Sequence, residues 1–425
     1  MRFNKLKTFC PLPFTHISSN QKGLGRICCD GYELLKEDKT GDNLTWKNSK
    51  SLYEYFNSKS YREVRLKMLK GEKVSHCKYC FQQEENGVQS IRNQFLKEYE
   101  SEIDDMIRNT DKDGFISHPK ITYIDMALGN HCNLKCRMCS PYSSYLISSD
   151  WKKMGISFSE RTSQRIFEDR YFSYKSTFKM IREALPHVRN IFLTGGEPML
   201  VKEHINILEM IVEEGHAGHI QLSYNSNQTF IPKKLVQIWK HFQKICFNCS
   251  VEAYGDLNNY IRYPSRWEKQ VKNIYFLDNL ANEGKNLELY IHTTLQAYNI
   301  LKLPDLLDFL RFEKFKTLTR FPFFIWVKIP EWCSPSILPQ KLRELASERI
   351  LDNIYKNEDF FLNYNSSHEN WTKRSIQSLK DFCKMITTVS DEDKLKDFVK
   401  MTKKHDLLRN QSVLKVLPEL ETLFV

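Results

Sequence analysis

The segment Leu128-Gly-Asn-His-Cys132-Asn-Leu-Lys-Cys136-Arg-Met-Cys139-Ser-Pro141 spaces three cysteines as Cys-x3-Cys-x2-Cys, directly after residues 121–128, which are predicted to form a strand. Three thiolates on one short loop can hold one metal centre, whereas a disulfide would leave the third cysteine unexplained. A single zinc ion needs a fourth protein ligand, and no Cys or His follows at the usual spacing. Iron–sulfur clusters are held by cysteine thiolates, so we expect such a cluster, with structural zinc and a distant fourth ligand as the alternative.

A second motif, Thr194-Gly195-Gly196-Glu197-Pro198, ends the next predicted strand, residues 189–194. Gly195 and Gly196 have no Cβ and permit close approach of the backbone. Glu197 follows them and offers a carboxylate to an ammonium group. Taken alone, these residues are equally typical of a Gly-Gly turn into a proline-led helix.

Together the two motifs resemble the radical S-adenosylmethionine (SAM) enzymes, whose signature is this cysteine triplet in the loop after the first strand of a partial barrel. The resemblance implies a [4Fe-4S] cluster on Cys132, Cys136 and Cys139, with the fourth iron binding the amino and carboxylate groups of SAM. It implies that residues 195–198 bind SAM, with Glu197 at the methionyl amine. It also implies that one electron splits the SAM sulfonium into methionine and a 5′-deoxyadenosyl radical, which abstracts a substrate hydrogen.

A second group of cysteines lies in residues 1–95. Cys10 opens the group, a predicted hairpin returns to the pair Cys28 and Cys29, and Cys77-Lys-Tyr-Cys80 closes it. Four thiolates from three places suit a fully protein-ligated cluster or a zinc ion. The pattern resembles the SPASM module of radical SAM enzymes and its shorter form, twitch, although that module usually follows the barrel. The resemblance implies an auxiliary [4Fe-4S] cluster.

The ligands of this auxiliary cluster are expected to be Cys10, Cys28, Cys77 and Cys80. Cys28 is preferred to Cys29 because it follows Gly23 at the Gly-x4-Cys spacing of those modules. If both cysteines lie in a strand, their side chains point to opposite faces, so that one ligates and the other packs.

From residue 121 to about residue 328, strands and helices alternate, which predicts a parallel sheet with helical crossovers. The predicted strands are 121–128, 189–194, 219–225, 245–252, 287–296 and 321–328. Six strands match the partial (β/α)6 barrel that the resemblance implies, so we expect an α/β fold with its site at the carboxyl ends of the strands. The expected domains are an auxiliary-cluster module (1–95), a charged linker (96–118), the radical SAM partial barrel (119–330) and a helical C-terminal extension (331–425).

Alternation along the fourth predicted strand places Cys246, Asn248, Ser250 and Glu252 on one polar face. Cys249 is on the other face, so Cys246 and Cys249 should not chelate together despite their spacing. The resemblance makes Ser250 and Glu252 candidates for contact with the SAM ribose. Three further candidates for cofactor binding are Met138 near the adenine, Asn225 at the end of the third strand, and Arg262, which either meets a carboxylate or forms a surface or helix-end pair.

The composition, 41% hydrophobic and 27% charged residues, is ordinary for a soluble globular protein. No apolar run approaches the ~20 residues that span a bilayer, and the N-terminus is a poor secretory signal, so we expect a cytoplasmic protein without a membrane partner. Twelve cysteines in a reducing compartment argue for metal ligation rather than disulfides. The net charge of +11 favours a nucleic acid or an acidic redox partner, or is simply a mildly basic surface.

These features predict a radical SAM enzyme that abstracts hydrogen and then oxidises, cross-links or rearranges its substrate. A peptide is the first choice, because family members with auxiliary modules often modify ribosomally made peptides. The alternatives are modification of a nucleoside, a nucleic acid base or another small metabolite, and a non-enzyme role as a metal-cluster nucleic-acid-binding protein. The resemblance implies a flavodoxin- or ferredoxin-like electron donor.

Overall fold

The structure is a computed structural model that describes residues 7–31, 33–85, 87, 89–156, 174–284, 286–327, 329–364 and 368–424. Lys328, the predicted end of the last barrel strand, lies outside these ranges. The strands are His16–Ser19 (β1), Gly25–Arg26 (β2), Tyr123–Ala127 (β3), Asn190–Thr194 (β4), Gln221–Ser226 (β5), Lys244–Ser250 (β6), Leu287–Leu295 (β7) and Thr319–Trp326 (β8). All six predicted barrel strands are therefore present, with ends that differ by at most two residues.

The helices alternate with the barrel strands as predicted and continue beyond them. They are Leu12–Thr15 (α1), Leu52–Phe56 (α2), Lys59–Leu69 (α3), Lys78–Glu85 (α4), Ile91–Glu98 (α5), Ile103–Arg108 (α6), Tyr145–Lys153 (α7), Lys175–Ala184 (α8), His204–Glu213 (α9), Lys233–Trp239 (α10), Gly255–Ile261 (α11), Trp267–Gly284 (α12), Leu303–Phe312 (α13), Gln340–Asn363 (α14), Glu369–Thr388 (α15), Leu395–Arg409 (α16), Val413–Val416 (α17) and Glu421–Phe424 (α18). The mixed α/β class is confirmed, and the sheet is consistent with a partial barrel.

The chain divides into two compact units. The first is Met1–Gly129, Ile166–Tyr224 and Lys234–Ile245, and its strand order is β2-β1-β3-β4-β5. β1 is antiparallel to β2 and parallel to β3, with His16 opposite Tyr123, and β3, β4 and β5 are parallel to one another. The N-terminal hairpin therefore adds two strands beside β3, the strand that precedes the cysteine loop.

The second unit is Asn130–Arg165, Asn225–Lys233 and Cys246–Val425. Its strand order is the end of β5, most of β6, then β7 and β8, of which the last two are parallel. Burial alternates along β6 and β7, so that one face of each strand is packed and the other is half-buried. After β8, the long helix α14 packs against α13 and α15.

Local sequence explains helices that bury one face. In α8, for example, the buried residues Thr177, Met180, Ile181 and Ala184 recur at the three- and four-residue spacing of one helical face. In contrast, residues 52–69 have helical spacing throughout but form two helices, α2 and α3. The Asn57 side chain both donates to the carbonyl of Ile116 at 2.9 Å and accepts from its N–H at 2.9 Å, so this long-range contact ends the first helix.

Within the part of the chain that the structure describes, no helix is both long enough and apolar enough to cross a membrane.

Candidate functional site

The cysteine loop, residues 130–141, is held by hydrogen bonds at several points along its length. The Asn130 side chain donates to the Pro141 carbonyl at 2.9 Å and closes the loop. The backbone N–H of Lys135 donates to the carbonyl of Tyr263 at 2.6 Å, and that of Arg137 donates to Ile261 at 2.8 Å. Because these donors alternate with the cysteines, the loop backbone has a defined path beside the end of α11.

The three thiols of this loop lie close to one another. Cys132 and Cys136 are buried and pack with Leu134, and Cys139 is half-buried against them. A hydrogen bond from the Cys139 thiol lowers the pKa of Cys136 to about 7, against the opposing effect of burial. The same hydrogen bond, together with burial, raises the pKa of Cys139 well above its ordinary value. One thiol of the pair is therefore readily ionised, as a metal ligand must be.

Two polar groups of the second unit are directed at Cys132. The Asn227 side-chain amide donates to its sulfur at 3.8 Å, and the backbone N–H of Leu134 does so at 3.4 Å. Such donors stabilise a thiolate and are among the factors that set the properties of iron–sulfur clusters. The sequence pattern points to Asn225, near the strand end, and does not identify Asn227. A polar Asn-Gln pair directly beyond that strand was the available signal.

Arg262 and Glu252, predicted separately, form a buried ion pair with 2.7 Å between Nη1 and Oε1. The other carboxylate oxygen of Glu252 accepts from the backbone N–H of Thr294 at 2.6 Å. Burial raises the pKa of Glu252, and the Arg262 charge only partly opposes this effect. Both oxygens of Glu252 therefore have protein partners, and Glu252 lies two residues beyond the end of β6.

The Arg262 guanidinium supplies positive charge beside the cysteine loop. Burial disfavours its charged form, but the thiolates of Cys136, Cys139 and Cys132 together with Glu252 more than offset this, so its pKa is raised. Three cysteine side chains beside one buried cation form an environment that favours an anionic centre. Over the described ranges, no three Cys, His, Asp or Glu side chains converge as the ligands of a single metal ion would. A [4Fe-4S] cluster has no such requirement, because each thiolate binds a separate iron, so the residues present fit it.

A network of side-chain hydrogen bonds contacts the backbone of Glu252, one partner of this ion pair. Asn258 accepts from the backbone N–H of Glu252 at 3.0 Å and donates to Gln270 at 2.7 Å. Gln270 in turn donates to the carbonyl of Ser250 at 2.8 Å and to Gln228 at 2.7 Å. These side chains are buried, whereas Ser250 is half-buried at the end of β6. The sequence does not predict this network, since its members come from α11, α12, the end of β6 and the segment after β5.

Several other residues predicted for the site also lie in the second unit. Asn225 accepts a hydrogen bond from Asn248 at 3.0 Å, so these two amides lie together. Met138 is half-buried against the cysteine-loop cluster of Cys132 and Cys136. Cys246 is half-buried and Cys249 fully buried, as the predicted alternation requires.

The Gly-Gly-Glu-Pro motif lies in the first unit and folds tightly against Leu128 and Gly129. Gly195 has φ of +121°, and a Cβ there would lie 2.7 Å from both the Gly129 oxygen and the Leu128 nitrogen. The N–H of Gly196 donates to the Gly129 carbonyl at 2.9 Å. Glu197 is buried and accepts from the N–H of Met199 at 3.1 Å, which caps the turn that Pro198 begins. The close backbone approach expected of these glycines is thus present, and the contact of Glu197 with SAM stays a prediction.

The N-terminal cysteines Cys10, Cys28, Cys77 and Cys80 are all buried in the first unit. Burial raises the pKa of Cys10 to about 12, with the neighbouring Cys80 adding to the effect. Burial also raises the pKa of Cys28, to which Cys29, Cys77 and Cys10 contribute, and that of Cys77, to which Cys10 and Cys80 contribute. Metal ligation relieves the cost of placing charged thiolates in a buried site, so these residues fit the predicted cluster, in which each thiolate binds a separate iron.

The prediction that Cys28 and Cys29 lie in a strand is wrong. The strand β2 ends at Arg26, and Cys28 and Cys29 lie instead in a turn whose Gly31 N–H donates to the Cys28 carbonyl at 3.0 Å. Alternation along a strand therefore does not apply to them. The two thiols nevertheless differ, since Cys28 is buried among the other cysteines and Cys29 is half-buried.

We therefore still expect Cys28→Ala to lose the auxiliary cluster and Cys29→Ala to keep it. The reason is now the location of Cys28 beside Cys10 and Cys77 rather than strand geometry. Iron content and the visible absorption of the two anaerobically reconstituted variants test this, with each variant serving as the matched control for the other. Equal losses, or loss in Cys29→Ala alone, would show that the wrong thiolate was chosen.

Comparison with known families matches residues 126–307 to the model of the Radical SAM superfamily. The chain carries a radical SAM domain. This match confirms the resemblance recognised from the cysteine loop and the Gly-Gly-Glu-Pro motif, and with it the expectation of an enzyme. A radical SAM domain implies a [4Fe-4S] cluster and SAM. The twitch or SPASM resemblance, its auxiliary cluster and the domain boundaries stay predictions.

Two curated proteins that the chain resembles are GTP 3′,8-cyclases. The protein from Campylobacter fetus subsp. fetus (strain 82-40) is 29% identical over 115 residues, 27% of this chain and 30% of the relative. The protein from Sulfurimonas denitrificans (strain ATCC 33889 / DSM 1251) is 18% identical over 241 residues, 56% of this chain and 64% of the relative. The chain thus spans less than two thirds of the length of either relative.

Two solved structures also resemble this chain at low sequence identity. One is native anSMEcpe with bound AdoMet, which is 17% identical with a TM-score of 0.40, over 56% of this chain and 61% of that chain. The other is Streptococcus suis SuiB bound to its precursor peptide SuiA, which is 15% identical with a TM-score of 0.37, over 67% of this chain and 60% of that chain.

Proposed function

We propose that this protein reductively cleaves SAM and uses the resulting 5′-deoxyadenosyl radical to abstract a hydrogen atom from its substrate. The observation that supports it best is the cysteine loop, in which three neighbouring thiols share the buried cation Arg262 within a radical SAM domain. When bound, the [4Fe-4S] cluster supplies the electron that splits the SAM sulfonium. Cys132, Cys136 and Cys139 hold this cluster.

The other residues of the site stabilise the thiolates or bind SAM. Asn227 and the N–H of Leu134 stabilise the Cys132 thiolate through the hydrogen bonds described above. Arg262, kept charged and fixed by Glu252, balances the negative charge of the thiolates. In this proposal Glu197 binds the amine of SAM, and Ser250 contacts its ribose. Met138 lies near the adenine.

The four N-terminal cysteines hold an auxiliary [4Fe-4S] cluster in this proposal. Because Cys10, Cys28, Cys77 and Cys80 can occupy all four irons, this cluster has no open position for SAM. Its role is electron transfer, substrate positioning or folding. A flavodoxin- or ferredoxin-like protein delivers the electrons, and we place the reaction in the cytoplasm.

The proposed substrate is a peptide, on the strength of the twitch or SPASM resemblance of the N-terminal residues. A nucleotide is the second candidate, because the two curated relatives are GTP 3′,8-cyclases. The two substrate classes differ in what they require of the protein. GTP would bring a negatively charged triphosphate into the site, whereas a peptide backbone is uncharged.

The test measures 5′-deoxyadenosine from anaerobically reconstituted protein, dithionite and SAM. Separate reactions contain GTP, a synthetic peptide encoded by a short reading frame beside this gene, or no added substrate. We expect slow 5′-deoxyadenosine release without substrate and faster release, with a changed substrate mass, in one of the other two reactions. Acceleration by GTP alone would replace the peptide with a nucleotide. No 5′-deoxyadenosine from a protein that holds its iron would overturn the proposed function.

A further inference from the structure

The helix α16, in the C-terminal extension, contacts the cysteine loop across 269 residues of sequence. Its packed side is made of Phe398, Met401, Thr402, His405 and Arg409. The opposite side is exposed at residues such as Asp397 and Leu407. Two acidic-to-basic linkages join α16 to the two basic residues that flank Cys136 in the loop.

The first linkage joins Asp406 to Arg137. The Arg137 side chain is fully buried, and its Nη2 lies 2.6 Å from Oδ1 of Asp406 and 3.0 Å from Oε1 of Gln411. Its Nε donates to the carbonyl of Tyr260 at 3.0 Å, and the guanidinium stacks 3.6 Å from the centre of the Tyr260 ring. Arg137 is therefore immobilised between the loop and the C-terminal extension.

Asp406 is itself held by more than this one contact. The Tyr260 hydroxyl donates to Oδ1 at 2.8 Å, and the backbone N–H of Val413 donates to Oδ2 at 2.7 Å. The chain reverses between these residues because Asn410 adopts the left-handed conformation with φ of +50°. The carboxylate thus has a fixed direction toward the loop.

The second linkage passes through Asp150 of α7. Lys135 lies 2.7 Å from one oxygen of Asp150, and Arg409 of α16 lies 3.1 Å from the other. Asp150 and Arg409 are buried, with side-chain exposures of 4% and 1%. The backbone of Lys135 also bonds to Tyr263, whose ring the Arg409 guanidinium covers at 4.9 Å. An apolar cluster joins the same elements, with Cys139 and Leu408 against Ile147, Trp151, Met154 and Met401.

We propose that α16 positions the cysteine loop through these two linkages and thereby tunes the cluster that the loop holds. The inference rests on the proposed function for the nature of that cluster. Asp406 and Arg409 are positioning residues, because they contact Arg137, Asp150 and Tyr263 rather than the cysteines or SAM. The C-terminal extension is then part of the SAM-cleaving site.

The burial of Arg137 explains why Asp406 can position the loop. A buried guanidinium without its counter-charge is strongly unfavourable, so Arg137 keeps its place only while Asp406 keeps its own. Because Arg137 and Lys135 are the sequence neighbours of Cys136, a displacement of either side chain shifts the Cys136 sulfur. Their charges also lie close enough to influence the reduction potential, which responds to net charge around a cluster.

The test compares Asp406→Asn with Asp397→Asn, the same substitution at an exposed position of the same helix. Both variants are reconstituted anaerobically with iron and sulfide in the full-length protein. Electron paramagnetic resonance during a redox titration follows the loop cluster, and 5′-deoxyadenosine is measured in parallel. We expect Asp406→Asn to raise the midpoint potential, because a negative charge is lost, and to slow SAM cleavage about tenfold or more through misplacement of the loop. Asp397→Asn is expected to match the unmodified protein.

A second variant separates positioning from simple unfolding. Replacing both partners, Arg137→Met with Asp406→Leu, removes the buried charges together and should preserve the fold better than either single change. We expect this double variant to hold its full iron and to cleave SAM slowly. We also expect a lowered potential, because the lost positive charge belongs to Arg137, the sequence neighbour of Cys136, and its loss outweighs the loss of the Asp406 charge.

The outcomes distinguish this inference from the proposed function. If both Asp406→Asn and the double variant match the unmodified protein in potential and rate, α16 does not position the loop and this inference is wrong. If the unmodified protein itself forms no cluster on the loop, the proposed function fails and the inference fails with it. A folded double variant with an altered potential supports both.

Discussion

Replacing Cys132, Cys136 and Cys139 together with alanine is expected to remove about half of the iron and to abolish 5′-deoxyadenosine formation. The intact protein should bind about eight irons after anaerobic reconstitution, as two cubane clusters. The structure places these three thiols together beside Arg262, apart in sequence from the four N-terminal thiols. Iron analysis and quantified 5′-deoxyadenosine measure the two effects.

The matched control for the triple variant is Cys383→Ala. Cys383 is also a buried cysteine, but it lies on α15 among apolar residues. Its loss should leave iron content and SAM cleavage unchanged. Full SAM cleavage by the triple variant would contradict the central claim that the cysteine loop holds the reactive cluster.

Replacing Cys77 and Cys80 together is expected to stop product formation while some uncoupled SAM cleavage remains. Both cysteines are buried in the first unit, where burial and the neighbouring cysteines raise the pKa values of Cys77 and Cys10. Their removal takes two ligands from the proposed auxiliary cluster and none from the cysteine loop. The radical would still form, but the substrate would be poorly placed or its electron poorly transferred.

This double variant needs a test of folding, because metal binding is part of the folding free energy of small metal-bearing modules. Circular dichroism and SAM binding provide it. Normal substrate turnover by a folded variant would make the auxiliary site purely structural. Zinc in place of iron at this site would exclude its role in electron transfer.

Much of the barrel could be predicted from local patterns. Apolar runs with period-two alternation, separated by helical segments, located all six barrel strands, because each half-buried strand must show alternation in its own residues. The opposite burial of Cys246 and Cys249 followed from the same rule. The cysteine loop and the Gly-Gly-Glu-Pro motif were equally local, since their chemistry depends on spacing within a few residues.

Turns and helix ends depended on contacts that local sequence does not contain. Residues 52–69 have a continuous helical pattern, yet Asn57 bonds to Ile116 and divides them into α2 and α3. Cys28 and Cys29 follow a two-residue strand and lie in a turn, so strand alternation failed for them. At Asn57 the backbone conformation depends on a hydrogen-bond partner that is distant in sequence. At Cys28 and Cys29 it depends on a turn with its own hydrogen bond.

The sequence by itself determined the radical SAM domain, the order of its strands and helices, and the cysteines available to ligate. These properties reside in residue type and short spacing. Only the tertiary structure decided that the N-terminal hairpin extends the sheet beside β3, that Arg262 pairs with Glu252, and that α16 reaches the cysteine loop. Each of these depends on which charged or polar groups are buried together. A buried charge selects its partner by distance in the folded chain, and separation along the sequence carries no information about that distance.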